Sequence, residues 1–302
     1  MSDFYDVAVI GLGAMGWGAA MSLVREGYNV HGVDIVAETL DRFGEEKGKP
    51  CKTPAEAAAV SPVVMVFVVN DSQTEDVLFG EHGAAAAAEP GTVFILSNTI
   101  APSTVVSVHE RLQQAGMELL DAPVAGGAAR ALRGDLTVMV AGSTRVFKAV
   151  EPVFDAVAAR VYRLGDKPGQ ATRIKMLNQL LSDVHIAATA EAMTLAAKIG
   201  VDLETMYDVI RGTTGNSWMF EERGSHIVNG DYAPRSVMNT IVKDLRIVSR
   251  EARSSGARVP LADAALTLFA EAAEAGYGKQ DGAAVARYLG KQTGAMMPGD
   301  DN

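Results

Sequence analysis

Val7-Ala8-Val9-Ile10-Gly11-Leu12-Gly13-Ala14-Met15-Gly16 is the stretch that decides the fold class. Its first four residues form a short apolar run with no polar alternation, the pattern of a strand buried on both faces. Glycines at G-x-G-x-x-G spacing follow, then an amphipathic stretch ending at Glu26-Gly27, then a second strand-like run over residues 28–34. A glycine triplet alone occurs in ordinary turns. A strand before it, a helix after it and an acid closing the next strand give it meaning. In that setting Gly11 permits a tight turn, Gly13 lets backbone approach a pyrophosphate, and Gly16 lets helix and strand pack closely. Leu12, Ala14 and Met15 complete the loop, where a helix N-terminus offers unpaired N–H groups and a positive dipole end to phosphates. Asp34 lies about 20 residues on, where a carboxylate can accept hydrogen bonds from an adenosine ribose and repel a 2′-phosphate. The expected cofactor is therefore NAD rather than NADP. The plainer alternative is a turn followed by a solvent-facing Asp.

Outward from this unit the same rhythm continues. Strand-like runs are expected at residues 63–69, 93–97, 118–121 and 136–141. Thr53-Pro54-Ala55-Glu56 announces a helix, with a capping residue, a Pro at the first position and a capping-box Glu. Residues 84–88 are a small alanine patch, read as helix or loop filler. Beyond about Gly165 the strand-like runs stop. Helical periods take over at residues 170–199, 202–212, 236–255, 261–276 and 283–291, with Pro168-Gly169 as punctuation. The expected fold is an α/β Rossmann-type domain over residues 1–165, followed by an all-α domain over residues 166–302. A long helix near residues 168–199 links them.

Composition narrows the function classes. The chain has 302 residues, nearly half of them apolar, enough for two cores. A formal charge of −10 without a Lys/Arg run argues against a nucleic-acid partner. Cys51 is the single cysteine, which excludes an internal disulfide and leaves no zinc-ligand cluster; it reads as a half-buried thiol. Met1-Ser2-Asp3-Phe4-Tyr5-Asp6 carries no basic n-region, and residues 63–69 are too short to cross a bilayer. The expected setting is the cytoplasm, with no membrane partner and no metal. Residues 294–302 form a polar tail expected to fray.

Lys175, Asn178, Gln179 and Ser182 fall at i, i+3, i+4 and i+7, on one face of a helix whose other positions are largely apolar. Spacing alone slightly favours a stripe turned to water. Beside a nicotinamide, a desolvated lysine could take the proton that alcohol oxidation releases. Asn178 and Gln179 would orient a substrate without adding charge.

Four segments in order resemble the β-hydroxyacid dehydrogenase family, related to 3-hydroxyisobutyrate dehydrogenase. They are the glycine loop, Asp121-Ala122-Pro123-Val124-Ala125-Gly126-Gly127, Lys175-Met176-Leu177-Asn178-Gln179 and Val242-Lys243-Asp244-Leu245. The resemblance spans nearly the whole chain. It implies that Lys175 transfers the proton and that Asn178 and Gln179 meet the substrate. Ala125, Gly126 and Gly127 would hold the substrate carboxylate through backbone N–H groups. Asn70 and Thr99 would lie on the cofactor side, and Lys243 would reach the cofactor or help close the cleft. It also implies a homodimer or homotetramer acting on a small hydroxy acid. Blander roles stay open: an ion pair with Asp244 for Lys243, a strand-ending turn for Gly126-Gly127, a helix-side cap for Thr99.

Two departures stand out. Ala125 replaces the family's usual Ser, a loss of one hydrogen bond to a charged group, about 1.5–3 kcal/mol. Gln179 replaces the usual second Asn and moves the amide by one methylene. Gly215-Asn216-Ser217-Trp218-Met219-Phe220-Glu221-Glu222-Arg223, with Gly230-Asp231-Tyr232, resembles the branch that oxidises L-threonate. Asn216 and Ser217 would then supply polar partners for a polyhydroxylated acid, and Trp218 a cleft wall; Arg223 reads as pairing with a nearby Glu. The alternatives are a tartronate semialdehyde reductase, a 3-hydroxyisobutyrate dehydrogenase, an imine-reducing relative, against which Lys175 argues, and a non-catalytic NAD-binding sensor.

Overall fold

The computed structural model describes residues 6–300, so Met1 to Tyr5 and the last two tail residues lie outside the described residues. The chain divides into two compact units, Met1–Lys175 and Met176–Asn302.

In the first unit the apolar runs become strands β1 (Asp6–Ile10), β2 (Asn29–Val33), β3 (Lys49–Pro50), β4 (Val63–Val66), β5 (Val93–Leu96) and β6 (Glu118–Asp121). They form one parallel sheet in the order β3-β2-β1-β4-β5-β6. The chain reverses its winding direction between β1 and β4, the switch point where such sheets bind ligands. The missing alternation has a direct cause. Val7, Val9, Met65 and Ile95 feed one core, while Ala8, Ile10, Val64 and Phe94 feed another on the opposite face. The third run stops at Val66, and Val69 is already exposed beyond the strand's carboxyl end. Helices α1 (Ala14–Arg25), α2 (Ala37–Glu45), α3 (Pro54–Ala58), α4 (Asp71–Phe79) and α5 (Pro102–Gln114) make the crossovers. The Thr53 hydroxyl accepts from Glu56 N at 3.1 Å, one half of a capping box, while the Glu56 carboxylate accepts from Lys52 N at 2.8 Å, one residue before the cap. The alanine patch holds a single 3-10 turn, Ala84–Ala86.

A second, smaller sheet follows: β7 (Val124–Ala125), β8 (Leu136–Val140) and β9 (Ala158–Arg163), with α6 (Gly127–Arg133) and α7 (Thr144–Val157) between them. β7 runs antiparallel and β9 parallel to β8.

Helix α8 (Gln170–Lys198) leads into the second unit, built from α9 (Leu203–Arg211), α10 (Trp218–Val228), α11 (Met238–Ser255), α12 (Pro260–Ala272) and α13 (Val285–Thr293). Phe220, Met193, Ile227, Met238, Leu245 and Phe269 are buried in its core. The helical period read through residue 276 breaks at Ala272 into a π turn, Ala273–Tyr277, where Gly276 takes φ 101°. The tail, expected to fray, is docked as far as Asp300. Ala295 and Met297 are buried, Tyr232 Oη donates to Pro298 O at 2.9 Å, and Arg287 Nε pairs with Asp300 at 2.6 Å. Two apolar anchors outweigh its polar composition. Among the described residues no helix is long and apolar enough to cross a membrane, and no group of His, Cys, Asp or Glu could hold a metal ion.

Candidate active site

The glycine loop leaves β1 at the switch point. Gly11 has φ 92°, and a Cβ there would lie 2.9 Å from Phe67 O, so only glycine suits the turn. A Cβ on Gly16 would fall 1.8 Å from Gly11 O, the close helix–strand approach expected of the third glycine. Gly13 differs: a Cβ there would meet nothing within 4 Å. Gly13 and Ala14 are exposed at the start of α1, and no side chain caps that helix. First-turn N–H groups thus face open space, the arrangement that takes a phosphate. Leu12 is buried and donates its N–H to Asp34 Oδ2 at 2.7 Å, and Met15 packs partly buried against the core. Asp34 Oδ1 accepts from Val36 N at 2.9 Å. The acid at the end of β2 therefore also staples the loop's first residues to the sheet, a role that spacing alone did not reveal. These residues fit a dinucleotide: Gly13 and Ala14 would hold its phosphates and Asp34 its ribose.

Asn70 follows β4 as the capping residue of α4, its Oδ1 accepting from Gln73 N at 2.9 Å. Thr99 sits half-buried in the loop after β5. Ala125 ends β7, and Gly126 and Gly127 take φ values of 135° and 76° at the entry to α6. Both glycines thus hold conformations that other residues rarely adopt.

Lys175 belongs to the first unit and is only 7% exposed. The helix is not buried on most sides, as its composition suggested. Ile174, Leu177 and Leu181 are each about half exposed while the lysine is covered. Sequence reading missed what anchors this helix. Asp121, fully buried at the end of β6, accepts from Gly169 N at 2.7 Å, Thr172 N at 3.0 Å and Thr172 Oγ1 at 2.5 Å. Burial pushes its carboxyl pKa up, against the downward pull of these bonds. The partner lies 48 residues away from Gly169, so no local motif announces it.

In the second unit, exposed Asn178 donates from Nδ2 to Gln179 Oε1 at 3.0 Å, and Gln179 Nε2 donates to Asp244 Oδ2 at 2.8 Å. Lys243 Nζ lies 2.9 Å from Asp244 Oδ1. The buried Asp244 carboxylate thus fixes the extra methylene of Gln179 and pairs with Lys243. Asn216 and Ser217, the residues expected to serve a polyhydroxylated acid, line a cavity with His185 and Thr189, where Asn216 Oδ1 is buried without a hydrogen-bond partner. Ser217 caps α10 by accepting from Phe220 N at 3.0 Å, and Asn216 Nδ2 bonds Arg211 O and Glu221. Trp218 is 73% exposed, with Nε1 on Glu222. Arg223 pairs with Glu222 at 2.9 Å, as expected, and also with buried Asp281 at 3.2 Å. Cys51 is half-buried, and burial, then Glu56, pushes its thiol pKa up.

A parallel sheet in this order, with a phosphate-ready glycine loop at its switch point, defines a dinucleotide-binding domain. Residues 6–165 match the NAD binding domain of 6-phosphogluconate dehydrogenase. Residues 169–289 match the NAD-binding domain of NADP-dependent 3-hydroxyisobutyrate dehydrogenase. The chain belongs to the β-hydroxyacid dehydrogenases of the 3-hydroxyisobutyrate dehydrogenase type, NAD(P)-dependent enzymes that act on CH–OH groups. It is 47% identical to L-threonate dehydrogenase of Cupriavidus necator, over 97% of this chain and 98% of the relative. It is 43% identical to L-threonate dehydrogenase of Escherichia coli K12, over 99% and 98%. A crystal structure of 3-hydroxyisobutyrate dehydrogenase from Salmonella typhimurium matches with TM-score 0.88 and 42% identity, over 95% of this chain and all of that one.

Proposed function

We infer that this dehydrogenase oxidises L-threonate to its 2-oxo acid, with NAD as hydride acceptor and Lys175 as the proton-transfer residue. The observation that carries the substrate assignment is near-full-length identity of 43–47% to relatives named for that activity. Asp34 at the end of β2 supports NAD over NADP, because a carboxylate repels a 2′-phosphate.

In this reading residues 1–165 bind NAD, while residues 166–302 contribute to substrate binding and assembly into a homodimer or homotetramer. The substrate carboxylate meets the backbone N–H groups of Ala125, Gly126 and Gly127. Positive φ at both glycines supports that presentation. The missing Ser hydroxyl at Ala125 shifts the burden onto backbone donors and onto Asn178 and Gln179. When bound, the dinucleotide would supply the acceptor for a hydride from a carbinol carbon of the substrate. Lys175 accepts the hydroxyl proton; its near-complete burial, which shields the amine from bulk water, supports the role. Gly11, Leu12, Gly13, Ala14, Met15, Gly16, Asp34, Asn70, Thr99 and Lys243, the last paired with Asp244, serve the cofactor. The single cysteine fits a reducing compartment, the cytoplasm.

The second reading, 3-hydroxyisobutyrate oxidation, is favoured by the likeness to the Salmonella typhimurium 3-hydroxyisobutyrate dehydrogenase structure. NADH formation from L-threonate, D-threonate, D-glycerate, tartrate isomers and 3-hydroxyisobutyrate separates the two. L-threonate should give the highest kcat/KM. A higher value for 3-hydroxyisobutyrate would overturn the substrate assignment. NAD binding with no turnover of any acid would favour a sensor.

A further inference from the structure

We propose that Asp121 is a positioning residue, whose buried carboxylate fixes the N-terminus of α8, and with it Lys175, relative to the segment 122–127. The proposal rests on the reading of Lys175 as the proton-transfer residue.

Asp121 cannot drift. Its backbone is paired on both sides of the peptide with Ala141, at 3.0 and 2.8 Å, where the two sheets of the first unit meet. Its side chain is fully buried and meets three donors, two backbone N–H groups and one hydroxyl. The first turn of a helix has N–H groups that need acceptors. A local side chain ordinarily supplies one at the position before the helix. Here that position is Gly169, with φ 90° and no side chain. The acceptor comes instead from the end of β6.

The consequence is geometric. Lys175 follows Thr172 by three residues, about 4.5 Å of helix rise on the same face. The residues proposed to hold the substrate carboxylate, Ala125, Gly126 and Gly127, follow Asp121 through a short link that includes β7. One carboxylate therefore sets the distance between the group that holds the acid and the group that takes its proton. A displacement near 1 Å in such a pair can cost about 10²-fold in rate.

Asparagine at this position can rebuild the contacts. Its amide oxygen would accept from Gly169 N and Thr172 N, and its Nδ2 would donate to Thr172 Oγ1. Alanine cannot. The experiment compares D121A, D121N, T172V and K175A, using L-threonate or whichever acid of the panel turns over fastest. NADH titration counts binding-competent sites, and kcat is expressed per such site. D121A should bind NADH with unchanged Kd and lose about 10²-fold in kcat. D121N should recover most of that loss. T172V, which keeps the two backbone contacts, should lie between wild type and D121A; if D121A does not fold, T172V and D121N carry the test. A lower melting temperature with wild-type kcat per site in D121A or T172V would make the cap purely structural and overturn the proposal. So would a D121N enzyme as slow as D121A. A K175A enzyme that keeps its turnover would instead remove the foundation, the lysine reading itself, whatever the Asp121 variants do.

Discussion

Replacing Gly13 by Ala separates cofactor binding from folding. The added Cβ would meet no protein atom within 4 Å, and the residue's φ of −63° is open to any amino acid. The folded state should tolerate it. Ala is a poorer residue than Gly before a helix, which costs a fraction of about 1 kcal/mol. The pyrophosphate, however, would have to occupy the volume the methyl group fills. Losing one charge-assisted hydrogen bond there costs about 1.5–3 kcal/mol, equivalent to roughly 10- to 100-fold in Kd. Gly16→Ala is the contrasting variant. Its Cβ would fall 1.8 Å from a backbone oxygen that cannot move without opening the loop, so both stability and binding should fall. Thermal unfolding without ligand, paired with NADH fluorescence titration, reads both quantities. Gly13→Ala with a wild-type Kd for NADH would refute the assignment of this loop as the phosphate cradle.

Other expectations follow from single contacts. Thr53→Ala removes the cap of α3 and should cost the first unit about 1 kcal/mol, seen in chemical denaturation; no change would mean the cap contributes nothing. The carboxyl pKa of Asp281 is held below the usual range. Burial alone would raise it, but the nearby His226 ring, the Arg223 guanidinium and the N–H groups of Ser236 and Ala283 outweigh that. Its contribution to stability is therefore complete above the unfolded carboxylate pKa, about 3.9, and is lost as pH falls through the lower folded value. Melting temperatures across that acid window should fall for wild type and lose part of this slope in Asp281→Asn. Equal slopes would contradict the assignment.

Much of the fold is legible because burial on both sheet faces leaves strands such as Val63–Val66 without polar letters. The same logic hides Ala158–Arg163, an edge strand whose two arginines and exposed tyrosine read as loop. Helix Trp218–Val228 escaped because its first residue is an exposed Trp, which broke the expected apolar face. At the site, the glycine loop and Asp34 announce themselves through local spacing, and Lys175 through the family segment in which it stands. The carboxylates that hold them in place do not. Asp121 and Asp244 act on residues 48 to 65 positions away, and only the folded chain brings those partners together. Asn216 and Ser217 carry local contacts that their letters do not announce: Ser217 Oγ caps the start of α10, and Asn216 Nδ2 bonds the last carbonyl of α9.

The most direct test of the central claim is the turnover of Lys175→Ala with NAD and L-threonate, measured beside its Kd for NADH. The Kd should be unchanged and kcat lower by about 10²- to 10⁴-fold, the usual worth of a positioned proton-transfer group. A variant that keeps most of its turnover would contradict the claim, because another group would then be taking the proton.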